Sequence, residues 1–578
     1  MLIVEYDFKT IKLNYYLVLL FFILSGCKST NEVTTSLVKS VLIKELSSLD
    51  MKTWHQKDYQ QDSIPGISLD KWYNQNNKKP KDREIIIAVI DTQIDLKHED
   101  LQGQIWTNLE EIANNGIDDD NNGYIDDING WSFTGTKSGG YVVWNSFEYV
   151  RIVNNWGSLF KDKTEFQIDT QYLHKYRQYQ RALKTLEERN KYYKNWLKSL
   201  KYNIAVYPKV KDTLKYFFPK EDYTYNQLDS LYNKYKINSK TYKQRRDDND
   251  QDLGAFIDCM MANLEVNHKT LEDIKDLEIQ LDSVVNKSLN LSYNERLLIG
   301  DNPTILEIGY GNNNVSNTIK GVRTIQDHNT MVSGIIAADR KNEKGIKGIS
   351  QNVKIMPLNI SPSGDEHDKD ITMAIRYAVN NGAKVINMSF GKEFSMHEDW
   401  VFEAFKYAEE HNVLLVRSAG NESLNVDKNE SFPRDIPLGG LKEICGNFIT
   451  IGSITHKLDS TFVSDYSNYG KNNVDLFAPG DQIYTTKAGN SYGYDSGTSL
   501  AAPMVSGTAA LIWSYYPKLS VQQVKQIILE SGTAYDIEVL VPGGEGKKVK
   551  FSELSKSGKV LNVYNAMQLA EKLSKKKR

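Results

Sequence analysis

Residues 497–504 read Gly-Thr-Ser-Leu-Ala-Ala-Pro-Met, and the interpretation of the whole chain starts from them. Ser499 stands just before a run of small residues, which let a peptide backbone come close to its hydroxyl. The pattern predicts a buried helix whose N-terminus points at Ser499, where unpaired N–H groups suit a developing oxyanion. A Ser at this place is also a common helix cap, so this stretch alone does not decide whether Ser499 is a cap or a nucleophile.

A Ser hydroxyl needs a base to become a nucleophile, and the base needs an orienting acid. Residues 84–90 form a largely apolar run that is typical of a strand buried on both faces, and Asp91 follows it. A carboxylate at the C-terminal end of such a strand lies where α/β folds build their sites. Of the nine His residues, His328 opens a buried helical pattern rich in small residues. Asp91, His328 and Ser499 are therefore the candidate acid, base and nucleophile.

These three stretches resemble the subtilisin-like serine proteases, or subtilases, in which acid, base and nucleophile follow the same chain order. Residues 413–421 are similar to the family's buried strand that ends in Ala-Gly-Asn. In that family the Asn supplies a side-chain donor to the oxyanion hole, so the resemblance implies this role for Asn421. The resemblance covers roughly residues 84–131 and 320–570.

A further stretch, residues 385–391, resembles the family's strand whose edge pairs with the substrate backbone. The resemblance thus implies substrate binding at Ser389, Phe390 and Gly391. It also implies a three-layer α/β/α sandwich with a mostly parallel sheet. The implied function is a serine endopeptidase that hydrolyses peptide bonds of polypeptide substrates through an acyl-enzyme.

Two positions depart from the family's motifs. Gln93 and Asn329 each stand where the family usually has Gly, close to the acid and the base. Gly is often used where backbones approach closely or φ is positive. The alternative prediction is therefore a catalytically weak or inactive protein that keeps the fold and binds polypeptides.

The composition is that of a soluble globular protein with one large domain and a sizeable addition. The chain has 578 residues, 40% of them hydrophobic, and a net charge of −3, which gives no reason to expect nucleic acid as a partner. Three Cys residues do not suit a disulfide scaffold. Cys259 and Cys445 are expected to be buried thiols, with a disulfide between them as the alternative.

The start of the chain has the pattern of an export signal. Residues 13–23 are an apolar run of signal-peptide length, and Leu-Ser-Gly follows before Cys27. This resembles a bacterial lipobox, which implies lipidation of Cys27 and a membrane-anchored lipoprotein at the cell envelope. A plain secretory signal with an incidental Cys is the alternative.

The acid and the base lie 237 positions apart, where compact subtilases need only a few tens. Between them, Tyr and Leu recur at spacings of three and four from Tyr172 to Leu200, which predicts an amphipathic helix of about eight turns. The inserted subdomain is expected to be α-helical, either as ordinary packing or as a lid or exosite over Ser499.

The predicted organisation is a signal peptide at 1–27, an N-terminal segment and possible short propeptide at 28–80, a peptidase domain at 81–135 and 318–570, the helical insert at 136–317 and a basic tail at 571–578.

An oxygen-rich stretch follows the first predicted strand. Asp118, Asp120 and Asn122 fall at the first, third and fifth places of a calcium loop, and Asp126 follows. These residues predict a structural Ca²⁺ site, and the family's use of calcium favours it by analogy. The alternative is a surface turn rich in Asp and Asn.

Overall fold

The computed structural model describes most of the chain from Leu37 onward. The predicted signal segment, with Cys27, lies outside the described residues. None of the described helices combines the length and the apolar composition that a membrane span requires. The described residues are 37–38, 45–81, 84–265, 270–316, 326–360, 363–440 and 442–576.

A single large sheet forms the centre of the molecule. In the described residues ten strands pair in the order β1-β11-β14-β8-β7-β6-β5-β2-β4-β3, and only β11 and β14 pair antiparallel. The strands are β1 Leu37–Val38, β2 Ile85–Asp91, β3 Trp131–Ser132, β4 Val353–Asn359, β5 Val385–Met388, β6 Leu414–Ser418, β7 Phe448–Ile454, β8 Leu476–Pro479, β11 Thr533–Tyr535 and β14 Lys559–Val560, with β9 Ile483–Lys487, β10 Ser491–Asp495, β12 Glu538–Leu540 and β13 Lys548–Lys550 in two separate hairpins.

Helices cover both faces of this sheet, which confirms the predicted three-layer α/β/α sandwich. Helices α11, α14, α15 and α16 bury their apolar side chains against one face, and α12 and α13 against the other. The helices are α1 Ser48–Thr53, α2 Tyr59–Asp62, α3 Leu69–Gln75, α4 Glu148–Phe160, α5 Leu173–Leu214, α6 Tyr225–Tyr235, α7 Tyr242–Asp247, α8 Leu253–Glu265, α9 Leu271–Ser283, α10 Arg296–Ile299, α11 Asp327–Ala337, α12 Asp368–Asn380, α13 Glu398–Glu410, α14 Thr498–Tyr515, α15 Val521–Ser531 and α16 Val563–Lys576.

The order of the central strands brings three sequence-distant segments to one edge. Strands β2, β5 and β6 are neighbours and run parallel, with Ile87 opposite Val385 and Val385 opposite Leu414. Their carboxyl ends therefore lie side by side, where doubly wound α/β sheets build their sites. Asp91 is the last residue of β2, Ser389 directly follows β5, and Asn421 lies three residues after the end of β6.

The segment before β2 is part of the core. Trp54 is fully buried and Trp72 is 4% exposed, and both belong to the apolar cluster beneath α14 and α16. Trp54 Nε1 also donates to the carbonyl of Gln482, next to β9. Trp54 and Trp72 therefore pack this segment against the central sandwich.

The insert forms a helical subdomain with its own core, as the Tyr and Leu spacing predicts. Helix α5 has 42 residues and continues well past Leu200, through Pro208 to Leu214. The second half of α5 packs with α6, α8 and α9, whereas its first half packs with α4 and with Phe394 of the central sandwich. Tyr172, the first residue of the predicted stripe, lies just before the helix and is half exposed.

Buried ion pairs join the insert to the N-terminus of α12. The Arg296 guanidinium bonds both oxygens of Asp370 at 2.8 and 2.9 Å, and Tyr310 also donates to Asp370. Lys369 contacts Asp301 at 2.8 Å. Such pairs are costly to break because each would leave an uncompensated buried charge. The insert is therefore held in a defined orientation on the sandwich.

Two smaller expectations have clear outcomes. Cys259 and Cys445 are buried free thiols rather than a disulfide. Helix α16 continues to Lys576, so the segment predicted as a basic tail from residue 571 is helical over most of its length.

Candidate active site

Asp91 and His328 form a close pair at the carboxyl edge of the sheet. His328 lies in the first turn of α11, and its Nδ1 is 2.7 Å from Asp91 Oδ1. The Asp91 carboxylate is 4% exposed and also accepts the Thr92 N–H. Burial disfavours the imidazolium, but the Asp91 carboxylate outweighs this effect and raises the pKa of His328 above its ordinary value of 6.5.

Asn329, one of the two departures from the family motifs, connects helix α11 to the loop that follows Asp91. Its Nδ2 donates to the carbonyl of Thr92 at 2.8 Å, and its Oδ1 accepts the Ser333 hydroxyl at 2.9 Å. The side chain is fully buried, so both bonds are made without competition from water. Asn329 therefore ties helix α11 to the residue that follows Asp91.

Backbone conformation does not require Gly at either departure. Neither Gln93 nor Asn329 has a positive φ. Gln93 is 1% exposed and fits within the core beside the acid. Positive φ therefore gives no reason to expect damage at these two positions.

Ser499 lies in the first turn of α14, beside Asn421. A Cβ placed on Gly497 would lie 2.9 Å from Ser499 Oγ and 3.5 Å from Asn421 Nδ2, so these two polar atoms flank the same glycine. Asn421 Oδ1 accepts both the N–H and the hydroxyl of Thr498. This fixes the amide so that its NH₂ group faces the side of Ser499 Oγ.

His328 and Ser499 lie on helices that pack together. Helices α11 and α14 are in contact, and Asp495, four residues before Ser499, helps to raise the pKa of His328. Within the described residues, which include both His328 and Ser499, no hydrogen bond joins Ser499 Oγ to His328. Catalytic hydrogen bonds are often long without substrate, so this geometry is compatible with a base next to a nucleophile.

A chain of buried hydrogen bonds positions the Ser499 backbone. Pro503 has no N–H to give to the carbonyl four residues earlier, so that carbonyl needs another donor. Ser389 Oγ donates to Ser499 O at 2.8 Å, Asn387 Nδ2 contacts Ser389 Oγ at 2.9 Å, and Ser506 Oγ donates to Asn387 Oδ1 at 2.8 Å. Sequence analysis did not assign Asn387 or Ser506; a polar Asn within an apolar strand was the available signal.

A cavity of about 380 Å³, called here the α5 cavity, adjoins these residues. Ser389, Phe390 and Gly391 line one side, and Ser418 and Asn421 another. The structure therefore brings the predicted substrate-binding residues next to the predicted oxyanion donor.

The insert supplies the third wall of the α5 cavity. Tyr149 of α4 contributes, together with Arg189 and Tyr193 of α5. Arg189 also pairs with Glu393 at 3.0 Å, directly after the Ser389–Lys392 segment. The insert thus contacts the candidate site rather than packing only on a remote surface.

A cluster of acidic side chains that could hold a metal ion lies in the loop after β2. Carboxylate oxygens of Glu111, Asp120 and Asp127 lie within 4.8 Å of one another. The Asn108 amide contacts Asp120 and Asp127 at 2.9 and 2.8 Å. Burial raises the pKa of Asp127 to about 6, and the nearby Asp120 carboxylate adds a smaller contribution in the same direction. Oxygen ligands at close range suit a hard divalent cation.

This set differs from the predicted metal ligands. Of the four predicted residues, Asp120 belongs to the cluster and Asn122 contacts it through its amide nitrogen. Asp118 accepts the N–H groups of Asn122 and Gly123, and Asp126 those of Asn115 and Gly116, so both carboxylates shape the loop backbone. Glu111 and Asp127 come close to Asp120 because the chain folds back on itself there.

The comparison with protein families agrees with this geometry. The model of the subtilase family matches residues 82–551, which is most of the chain. The chain belongs to the subtilase family. Its two departures from the family motifs therefore occur within a recognisable subtilase domain.

Similar proteins cover parts of the chain. The cell wall-associated protease of Bacillus subtilis (strain 168) is 31% identical over 38% of this chain and 22% of its own length. The thermophilic serine proteinase of Bacillus sp. (strain AK1) is 36% identical over 33% of this chain and 43% of its own length. This subtilase thus spans less than half the length of these two relatives. Among solved structures, a cold adapted subtilisin-like serine proteinase matches with 26% identity over 41% of this chain and 74% of its own, at a TM-score of 0.32.

The Asp91–His328 pair predicts a specific titration. We expect NMR to give His328 a pKa above 6.5, and the variant Asp91→Asn to lower it by about 1 to 3 pH units, because burial then acts without the opposing carboxylate. Asp399→Asn removes an exposed carboxylate of α13 and should leave the pKa of His328 unchanged. A wild-type value at or below 6.5, or no decrease in Asp91→Asn, would contradict the pairing.

Proposed function

We propose that this subtilase is a serine endopeptidase in which Asp91, His328 and Ser499 form the catalytic triad. The observation that carries the proposal is the 2.7 Å contact between Asp91 and His328 at the sheet edge, beside the helix that bears Ser499. Family membership supports it, since the match spans every proposed catalytic residue.

The proposed reaction starts with the orientation of the base. His328 Nδ1–H donates to Asp91, which leaves Nε2 unprotonated and able to accept a proton. Ser499 Oγ attacks the carbonyl carbon of the scissile peptide bond while its proton passes to His328 Nε2. His328 then gives this proton to the leaving amine as the C–N bond breaks, which produces the acyl-enzyme. Water, deprotonated by the same nitrogen, hydrolyses the ester and restores Ser499.

The oxyanion of each tetrahedral intermediate requires donors that are already in place. Asn421 Nδ2 is oriented by Thr498, and the Ser499 N–H lies in the first turn of α14, where backbone N–H groups are unpaired. A polypeptide lying along Ser389–Gly391 would add backbone hydrogen bonds at this strand edge and direct one side chain into the α5 cavity.

A fluorophosphonate probe tests the triad without knowledge of the substrate, because it reacts only with an activated Ser. We expect covalent labelling of the wild-type protein at Ser499 and its complete loss in Ser499→Ala, measured by intact-protein mass spectrometry. The matched control Ser552→Ala removes an exposed hydroxyl and should label normally.

Two results would contradict the triad. Labelling that persists in Ser499→Ala would place the nucleophile elsewhere. A folded wild-type protein that does not label, with calcium present, would favour the alternative of a non-catalytic polypeptide-binding subtilase.

We also propose that Glu111, Asp120 and Asp127 bind a structural Ca²⁺. The ion would neutralise three gathered carboxylates and thereby stabilise the loop between β2 and β3. It takes no part in the proposed chemistry.

Calcium should therefore raise the melting temperature of the protein. At about 100 times its dissociation constant, we expect Ca²⁺ to add about 2.7 kcal/mol to the free energy of unfolding. Glu111→Gln and Asp127→Asn should abolish this gain, while the exposed neighbour Glu110→Gln should retain it. Equal calcium responses in all four proteins, measured by calorimetry, would exclude this site.

For its location, we propose a lipoprotein of the bacterial cell envelope. The support is the apolar run at 13–23 followed by Leu-Ser-Gly-Cys27. We expect the full chain, expressed in a bacterium, to incorporate labelled fatty acid and to fractionate with membranes. Cys27→Ser should lose the label, whereas Cys259→Ser should keep it. Release of unlabelled wild-type protein into the medium would favour a plain secretory signal.

A further inference from the structure

A buried guanidinium lies directly behind the floor of the α5 cavity. Arg417 stands near the end of β6, four residues before Asn421, and is 3% exposed. Its Nη2 donates to the hydroxyl of Ser431 and to the carbonyl of Phe432. A Cβ placed on Gly391 would lie 2.9 Å from the same nitrogen. Since Gly391 and Ser431 both line the α5 cavity, the cation sits one layer below its surface.

This cation lacks a carboxylate partner. Throughout the described residues, no Asp or Glu oxygen forms an ion pair with Arg417, although the buried Arg151, Arg245 and Arg296 each have one. Its Nε is buried without a hydrogen-bond acceptor. Burial lowers the pKa of Arg417 to about 10, so the group stays protonated at neutral pH. An unpaired buried charge is costly, and an anion bound nearby would offset part of that cost.

Three of the four acidic residues that line the cavity are engaged elsewhere. Glu430 pairs with Arg181, and Glu393 pairs with Arg189. Asp365 accepts the Glu148 N–H at 2.8 Å. In the part of the chain that the structure describes, these contacts leave Arg417 without a carboxylate in ion-pair contact, although Glu422, Asp435 and Glu366 act on it at longer range, in the direction that raises its pKa.

Glu422 is the main group that opposes an anion here. Its Oε2 accepts the Asn468 amide at 2.6 Å, its side chain is exposed at the cavity rim, and it is the largest of the charges acting to raise the pKa of Arg417. An acidic side chain would have to pass this rim before it reached the floor.

Ser431 connects the cation to the cavity. Its oxygen accepts from Arg417, so its own hydrogen points to another acceptor. A carboxylate in the cavity would receive this hydrogen in a bond strengthened by the charge behind it. The floor therefore offers a donor backed by a positive charge.

We infer that the α5 cavity selects an acidic side chain, Glu or Asp, on the residue whose carbonyl Ser499 attacks. This inference rests on the proposed function. The carboxylate accepts the Ser431 hydroxyl, and Arg417 supplies the attraction from beneath. Arg417 is thus a specificity-determining residue that acts through Ser431 and does not touch the reacting atoms.

Peptides that differ only at this residue test the inference. With fluorogenic peptides carrying Glu, Gln, Phe or Lys before the scissile bond, we expect the wild-type kcat/KM for Glu to exceed that for Gln on the order of 10²-fold. Gln has the same shape as Glu, so this ratio isolates the charge. Arg417→Met should bring the ratio close to one, while Arg417→Lys should retain part of it.

Two further variants keep the test independent of a folding defect at Arg417. Ser431→Ala removes the donor but leaves the cation, and should lower the Glu/Gln ratio severalfold. Glu422→Gln removes the rim charge and should raise the ratio. Fluorophosphonate labelling of each variant reports whether it folds with a working Ser499.

The outcomes separate the two claims. A labelled enzyme that prefers Lys or Phe, or a Glu/Gln ratio that Arg417→Met and Ser431→Ala leave unchanged, would overturn the acidic selectivity while the protease function stands. Absence of both labelling and cleavage in the wild type would overturn the proposed function and this inference with it.

Discussion

Helix α14 is buried on almost every side, and the geometry of the site depends on this constraint. Every residue from Leu500 to Tyr515 is buried, which requires close approach to the sheet and to α11. A Cβ at Gly507 would lie 2.8 Å from Ile349 Cβ, so a larger residue would push the helix away. Small residues therefore set how near the N-terminus of α14, with Ser499, comes to the sheet edge that carries Asp91.

Close packing alone would leave polar groups of this helix without hydrogen-bond partners, and side chains of the neighbouring strand β5 and its end supply them. The Ser499 carbonyl, deprived of a donor by Pro503, accepts from Ser389, which in turn contacts Asn387. A fully connected buried network rigidifies the elements that it joins. One set of bonds thus links the nucleophile's backbone to the strand edge where a substrate would lie.

The insert adds a wall to the α5 cavity, where a substrate side chain would bind in the proposed function. Its buried ion pairs with α12 fix its orientation, and α5 then contributes Arg189 and Tyr193 to the cavity wall. Arg189 and Arg181 pair with acidic groups around that cavity. The charge balance at the cavity consequently depends on both the sandwich and the insert. In the proposed selectivity Arg417 has an electrostatic role because, within the described residues, no carboxylate forms an ion pair with it.

The sequence by itself determined the fold class and the helical nature of the insert, because these follow from local periodicity and from motifs a few residues long. It also predicted Asp91, His328 and Ser499 as acid, base and nucleophile from such motifs. Tertiary structure decided what depends on contacts between distant segments. Glu111 and Asp127 meet Asp120 only when the loop after β2 folds back, and Asn329 connects Thr92 to Ser333 only once α11 docks. In the sequence, Arg417 is one charged residue within an apolar strand. Only the tertiary structure shows that no nearby carboxylate of the described chain forms an ion pair with it. Hydrogen bonds and charges act over a few ångströms in space, and the distance along the chain does not reveal which of them will meet.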